Sequence, residues 1–433
     1  MSEMIQVPDG WEVEKLGKFV KLVGGFAFKS EDRVSDGIRW LKIANVGINE
    51  IKWDELDYLP IEFKVQYKNF ILNENDIVIA MTRPLLGDKL KISKISKFDS
   101  NSLLNQRVGK FIFSENVNKD FMYFLLQHSD FIMNLMLRII GTDPPNVGSE
   151  DVESIILPIP KEKKEQEKIA KILSTLNKAI ESTNRLIEKE KNIKKALMQE
   201  LLTNGIDKDG HIRTRATHTY KESELGLIPD EWEVVSLEKL ISKVIDFRGK
   251  TPLKIGMDWG NGLIPSLSAN NVQMGKVDFS KETHFGSEEL YNVWMNKGAT
   301  QKDDILFTME APLGNVALIP DNNKYILSQR VILLRVGKKI ISHYMYYYMM
   351  CDDFQTRMLK YSSGSTVKGI QYSQLKEMLI AFPKGIEEQK QIAKILTTQD
   401  KKIETEETNL AKLKELKKGL MNDLLRGKVR VKV

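Results

Sequence analysis

Two stretches of the chain carry apolar side chains at a helical interval for far longer than any other. In the first, Ile169, Ile172, Leu176, Ala179, Thr183, Leu186, Glu190, Ile193 and Leu197 step by three and four, with Leu173, Ile180, Ile187 and Leu201 widening the stripe. In the second, Ile392, Ile395, Leu396, Ile403, Leu410, Leu413, Leu416, Leu420 and Leu424 recur at intervals of three, four and seven, with Leu396 beside Ile395. Alternating steps of three and four over roughly five to six heptads form a coiled-coil seam. Neither stripe meets a proline or glycine before its last turns. The pattern predicts two long helices of equal length that pair with each other, antiparallel. Ile169, Ile172, Leu176, Ile180 and Ile187 would face Ile392, Ile395, Ile403, Leu410 and Leu413, and the same surface would dock partners. Polar seam residues, Thr183 and Glu190 against Gln399 and Glu406, would penalise wrong registers.

The two stretches are copies. EQEKIAKIL (Glu165–Leu173) and EQKQIAKIL (Glu388–Leu396) share seven of nine residues, 388−165=223 positions apart. At that offset, 21 of 45 positions agree between Pro160–Asn204 and Pro383–Gly427 without a gap. Upstream, Gln106-Arg107-Val108 lies over Gln329-Arg330-Val331, and VPDGWEV (Val7–Val13) matches IPDEWEV (Ile228–Val234). A period this long is not that of a solenoid. It is the duplication of a whole domain-plus-helix unit. The shared seven residues would do alike at both places, receiving the same partner and holding register, while the divergent parts upstream do different things.

Between the repeats the pattern changes. DIVIAM (Asp76–Met81), DILFTM (Asp304–Met309), KFIF (Lys110–Phe113) and VILLRV (Val331–Val336) read as buried strands. Lys119–Met136 and Ile341–Leu359 each read as one amphipathic helix. The expected architecture is α+β: two similar globular domains separated by a long antiparallel two-helix coiled coil, with pseudo-two-fold symmetry from the duplication. The boundaries are domain one, 1–158; first helix, 159–205; polar linker, 206–226; domain two, 227–382; second helix and tail, 383–433.

Charge sharpens this little. The formal net charge is +6, and the helical stretches supply all of it: 11−7=+4 over Lys161–Asn204 and 10−8=+2 over Lys384–Arg426. Lys-rich helices are commonly solvated faces. One cysteine, Cys351, excludes a disulfide framework and fits a reducing compartment. No run of 18 apolar residues occurs and the N-terminus has no apolar signal region. A soluble cytoplasmic protein without membrane contact is expected.

Catalytic patterns fail on inspection. Asp143-Pro144-Pro145-Asn146 has the shape of an amino-methyltransferase loop, in which an aromatic at the fourth position stacks on the flipped base. That position is Asn146, no glycine-rich cofactor loop precedes it, and the repeat sets the tetrapeptide over Thr366-Val367-Lys368-Gly369. It reads as a proline turn. Gly249-Lys250-Thr251 lacks the upstream glycine of a phosphate loop, Val244 standing there. The five histidines show no metal-ligand spacing, so no metal site is assigned. What remains is basic and amide side chains beside the turns: Lys29, Arg83, Lys89 and Arg107 in the first half, Arg248, Lys250, Gln329, Arg330 and Lys368 in the second. Arginine and lysine grip phosphates and read guanine, and glutamine reads adenine. These are the candidate DNA contacts. The recurrent Gln-Arg pairs suit a structural or backbone role better than base choice.

The P-D-x-W-E-V openings, GFAFKS (Gly25–Ser30), GSTVKGI (Gly364–Ile370), LPIP and IAFP (Leu157–Pro160, Ile380–Pro383) and the twin EQ-x-x-IAKIL helices together resemble the specificity subunit of type I restriction–modification systems, over essentially the whole chain. The first half departs from the pattern, carrying GTDPPNV (Gly141–Val147) in place of GSTVKGI. The resemblance implies a non-catalytic subunit with two target-recognition domains, each reading one half of a bipartite site in double-stranded DNA. It implies that the helices set the spacer and dock two methyltransferase subunits. Two restriction/translocase subunits would complete the assembly. No cofactor is expected in this subunit; S-adenosylmethionine, ATP and Mg belong to the partners. A stand-alone adenine methyltransferase and a coiled-coil scaffold with two peptide-binding domains are the alternatives.

Overall fold

The computed structural model describes residues 7–139, 141, 143–247, 251–362 and 368–432. The chain forms two compact units, Met1–Asn184 with Thr408–Val433, and Arg185–Glu407. Each therefore holds one globular part and half of each long helix. The division falls inside the helices rather than at their ends, because packing along the seam binds each half-helix to the globular part beside it.

In the first unit, a four-stranded antiparallel sheet has the order Val20–Gly24, Val108–Phe113, Ile77–Ala80, Ile92–Lys94. In the second, Ile241–Asp246, Val331–Val336, Ile305–Thr308 and Val316–Leu318 take the same order. The central strands read as apolar runs because they are covered on both faces: Ile77, Val78, Ile79 and Ala80, like Ile305, Leu306, Phe307 and Thr308, are buried. Each unit adds a three-stranded sheet containing one parallel pair, Trp40–Leu41 with Leu103–Leu104 and Ser266–Leu267 with Ile326–Leu327. So the sequences between the repeats have diverged while the fold has not.

The opening strand of each unit pairs with the strand that feeds its helix. Trp11 lies opposite Pro160 and Trp232 opposite Pro383, in the same register. Two helices per unit differ from the sequence expectation. Lys119–Leu125 and Ser129–Ile139 are separate, as are Ser342–Met350 and Asp352–Tyr361. The breaks fall at His128 and Cys351, one repeat apart. There His128 Nδ1 accepts the Asp130 amide (3.2 Å) and Cys351 Sγ accepts the Phe354 amide (3.5 Å), each starting a new helix.

The long helices span Lys163–Leu201 and Ile386–Leu424, 39 residues each. Ile169, Leu173, Leu176, Ile187, Ile392, Leu396 and Ile403 are buried, and Ile180, Leu410 and Leu413 half-buried. Ile172 leaves the predicted seam, 38% exposed, because heptad phase runs through Ile169, Leu173 and Leu176 instead. Ile395 stays half-buried against the second unit's core. Within the second unit the antiparallel pairing is explicit. Lys191 meets Glu407 (2.9 Å), Lys194 meets Asp400 (2.6 Å), and the Gln399 amide donates to the Glu190 carboxylate (2.8 Å) and carbonyl (3.0 Å).

Segment 206–226, expected as a linker, is packed on the second unit: Ile206 and Arg213 are buried, and Tyr220–Ser223 pairs with Gly226–Pro229. Among the described residues no helix is long and apolar enough to cross a membrane.

Candidate nucleic-acid interface

The repeated Glu-Gln at the head of each long helix binds the helix to its own globular part. Glu165 accepts the Trp11 indole (3.3 Å) and both prongs of Arg430 (2.7 and 2.9 Å). Glu388 accepts the Trp232 indole (3.3 Å) and Arg213, which also reaches Glu231 (2.8 Å). Gln166 donates to the Pro160 carbonyl (2.9 Å) and accepts the Asn118 amide (2.8 Å); Gln389 does the same with Pro383 (2.8 Å) and Ile341 (3.0 Å). These bonds occupy the shared glutamate and glutamine, while the shared lysine, Lys171 and Lys394, is exposed. Gly205 and Gly427, just past the helices, have φ of +65 and +70°, and a Cβ at either would run into Trp232 or Trp11.

From that anchored base each sheet presents one equivalent edge. Met81 and Met309 end their strands there, donating to the carbonyls of Arg107 (2.9 Å) and Arg330 (2.8 Å) and accepting from Val147 (2.7 Å) and Ile370 (3.1 Å). The next residues bridge Asn146 and Gly369 respectively. The structural equivalence is thus Asn146 with Gly369, the pairing that the offset of 223 gives. The Asp143–Asn146 turn serves as a backbone clamp: Pro145 accepts the Arg83 amide (2.9 Å) and Asn146 Oδ1 accepts from the Thr82 hydroxyl (2.5 Å). Its place is the one that the second unit fills with Lys368–Ile370, which removes the methyltransferase-loop reading.

At these shared positions the side chains differ. The first unit sets out Thr82, Arg83, Lys91 and Asn146; the second has Glu310, Ala311, Asn315 and Gly369. Arg83 and Ala311 share a left-handed backbone, φ +49 and +42°. Arg83 and Arg107 are exposed and, among the described residues, form no ion pair. Burial, reinforced by Arg83, pushes Lys91 below its usual range. Sequence reasoning missed Lys91; the strand-hairpin periodicity around it marks no base or phosphate contact. In the second unit Arg330, φ +71°, pairs with Glu310 (3.2 Å), with exposed Lys368 beside the Gly369 bridge and Gln329 half-buried. The recurrent Arg107 and Arg330 hold the turn through their backbone carbonyls.

The other candidates lie elsewhere. Lys29 is exposed and paired with Glu31 (3.2 Å). Lys89 points to a cavity beside the second long helix. Arg248 and Lys250 lie outside the described residues. Asp207, Asp209 and His211 gather oxygen and nitrogen ligand atoms, but Asp207 Oδ1 already accepts the Asp209 (2.9 Å) and His211 (2.8 Å) amides of a turn.

The family model described as "Type I restriction modification DNA specificity domain" matches residues 8–191 and again 229–415. The chain is 36% identical over 206 residues to the type I restriction enzyme MjaVIII specificity subunit of Methanocaldococcus jannaschii, covering 47% of this chain and 48% of that protein. It is 25% identical over 446 residues to the putative MjaX specificity subunit of the same organism, covering 100% of this chain and 96% of that one. The chain thus spans about half the length of the first relative and nearly all of the second. A crystal structure of a type I restriction–modification system S subunit from M. genitalium superposes with a TM-score of 0.59 at 16% identity, over 98% of this chain and 99% of that one, a likeness of fold.

Proposed function

Because the chain belongs to the type I restriction modification DNA specificity domain family, we propose that it is the DNA-recognition subunit of such a complex and carries out no chemistry itself. Each globular part reads one half of a bipartite duplex site. One observation carries the reading: two copies of one scaffold present the same edge with different side chains, Arg83, Lys91 and Asn146 against Ala311, Asn315 and Gly369. A conserved frame with exchanged arginine, lysine and asparagine is what two base readers of different preference require.

The long helices set the separation of the half-sites. Each is about 59 Å long at 1.5 Å per residue, which bounds the separation at under two turns of DNA, about 34–36 Å each. Apolar side chains left exposed on the first helix, Ile172 (38%), Leu186 (36%) and Ile193 (37%), offer a docking surface for methyltransferase subunits. Those partners bring S-adenosylmethionine, and restriction/translocase subunits bring ATP and Mg. The complex works in the cytoplasm.

The test is to express the full chain with its methyltransferase partner and map modified adenines across a host genome. A motif of two fixed halves around an unread spacer is expected, and it should vanish without this chain. A contiguous motif, or one that persists without the chain, overturns the reading.

A further inference from the structure

Within the first unit a cavity of about 470 Å³ opens beside the second long helix. That helix contributes Lys414, Lys417 and Lys418, and the hairpin at Leu85–Leu90 contributes Asp88 and Lys89. The floor is apolar, formed by Ile132, Ile180 and Met421. Four lysines against one aspartate leave 4−1=+3. His128 adds nothing at neutral pH: its Nδ1 accepts the Asp130 amide, so Nε2–H donates to Asn422 (3.1 Å), and burial holds it below its usual range.

The duplication supplies an internal control. At the offset of 223, Lys414, Lys417 and Lys418 correspond to Lys191, Lys194 and Lys195. In the second unit each of these has its own carboxylate: Glu407 at 2.9 Å, Asp400 at 2.6 Å and Asp352 at 2.9 Å. The same offset carries those three acids onto Asn184, Asn177 and Ser129. The lysines have been kept and all three counter-charges lost. Among the described residues, Lys89, Lys414, Lys417 and Lys418 form no ion pair. Burial, with Lys89 alongside, pushes Lys417 below its usual range, and the pull of Glu181 does not offset it. Lys89, Lys414 and Lys418 are exposed and Lys417 is half-buried, so an anion from outside the chain would meet four cations that form no ion pair. A recess of this volume falls within the range of small-ligand sites, about 300–1,000 Å³, and its apolar floor suits a flat ring.

We propose that this cavity binds a nucleoside polyphosphate, with Lys89, Lys414, Lys417 and Lys418 on the phosphates and the base on Ile132, Ile180 and Met421. Lysine ammonium groups are suited to phosphate as point charges. The proposal stands whether or not the chain reads DNA.

Calorimetric titration and thermal melting of the full-length chain with ATP, pyrophosphate and adenosine test it. ATP and pyrophosphate should bind and raise the melting temperature, ATP the tighter, with adenosine weakest. Installing the second unit's acids, Asn177→Asp with Asn184→Glu, keeps every lysine and should weaken ATP binding about tenfold or more. Lys417→Gln with Lys418→Gln should do likewise. Failure of ATP and pyrophosphate to bind overturns the proposal, as does binding unchanged in both variants. So does a loss confined to duplex DNA or to an acidic peptide, which would assign the lysines to a macromolecule.

Discussion

Arg213 reaches 175 residues forward along the second unit to hold Glu388, at the head of the second long helix, and with it the indole of Trp232. Arg430 likewise holds Glu165 and with it Trp11 in the first unit. The two arginines stand at different distances beyond their helices, so the duplication kept the bond and not the position. Arg213 is nearly sealed, 6% exposed, whereas Arg430 is 40% exposed. Glu388→Gln should therefore cost about 3 kcal/mol, the charge of Arg213 being left to the exposed Glu231. Glu165→Gln should cost less, since water reaches Arg430. Urea unfolding of the two variants decides; equal losses contradict the ranking.

Acid should loosen the helix pair through Glu190. The Lys402 and Gln399 side chains hold its carboxyl below the ordinary value of 4.5. A carboxyl depressed in the folded chain stabilises it above that ordinary value and ceases to do so as pH falls through the folded value. The urea midpoint should drop on acidification below pH 4.5, and Glu190→Gln should flatten part of that drop. Parallel curves for the two proteins would remove Glu190 from the account.

Arg83→Ala should relax one half-site and leave the other intact. If the arginine reads a base, about 1–3 kcal/mol of discrimination disappears at one position of the modified motif. Lys368→Ala should weaken binding evenly across sequences and lower the salt slope by about 1. Motif mapping and salt titration of DNA binding separate the two effects.

Exchange of residues 7–157 for another recognition domain should change one half-site alone. A change in both halves defeats the two-reader scheme.

Lengthening both long helices by one heptad should widen the unread spacer and keep both half-sites. A heptad preserves the seam, so folding is not at stake. A spacer unchanged by the insertion contradicts the role of the helices as a ruler.

Local periodicity made much of this fold legible. The apolar runs at Ile77–Ala80 and Val331–Val336 are strands as expected, and the helices are equal in length. What periodicity could not reveal are bonds between distant residues. Apolar spacing runs on through His128 and Cys351, where a side-chain cap restarts the helix. Ile172 fits a three-four stripe as well as Leu173 does, and only packing separates them. In the candidate interface Arg83 and Arg107 fall together, but Lys89 turns to the long helix, and Lys91 is visible only through its burial beside Arg83. A solvated lysine and a poised one look alike in a sequence.

The Glu190–Gln399 bond has a consequence for ancestry. Shifted by one repeat, its two positions become Leu413 and Leu176. A primordial dimer built from the first repeat alone would set Glu190 against Leu176, and one built from the second would set Gln399 against Leu413. Either forces a polar group against a leucine at both symmetry mates. Only the fused chain pairs the glutamate with the glutamine. The descendants of the two half-genes have become each other's obligatory complement, and this pair of positions opposes a return to independent halves.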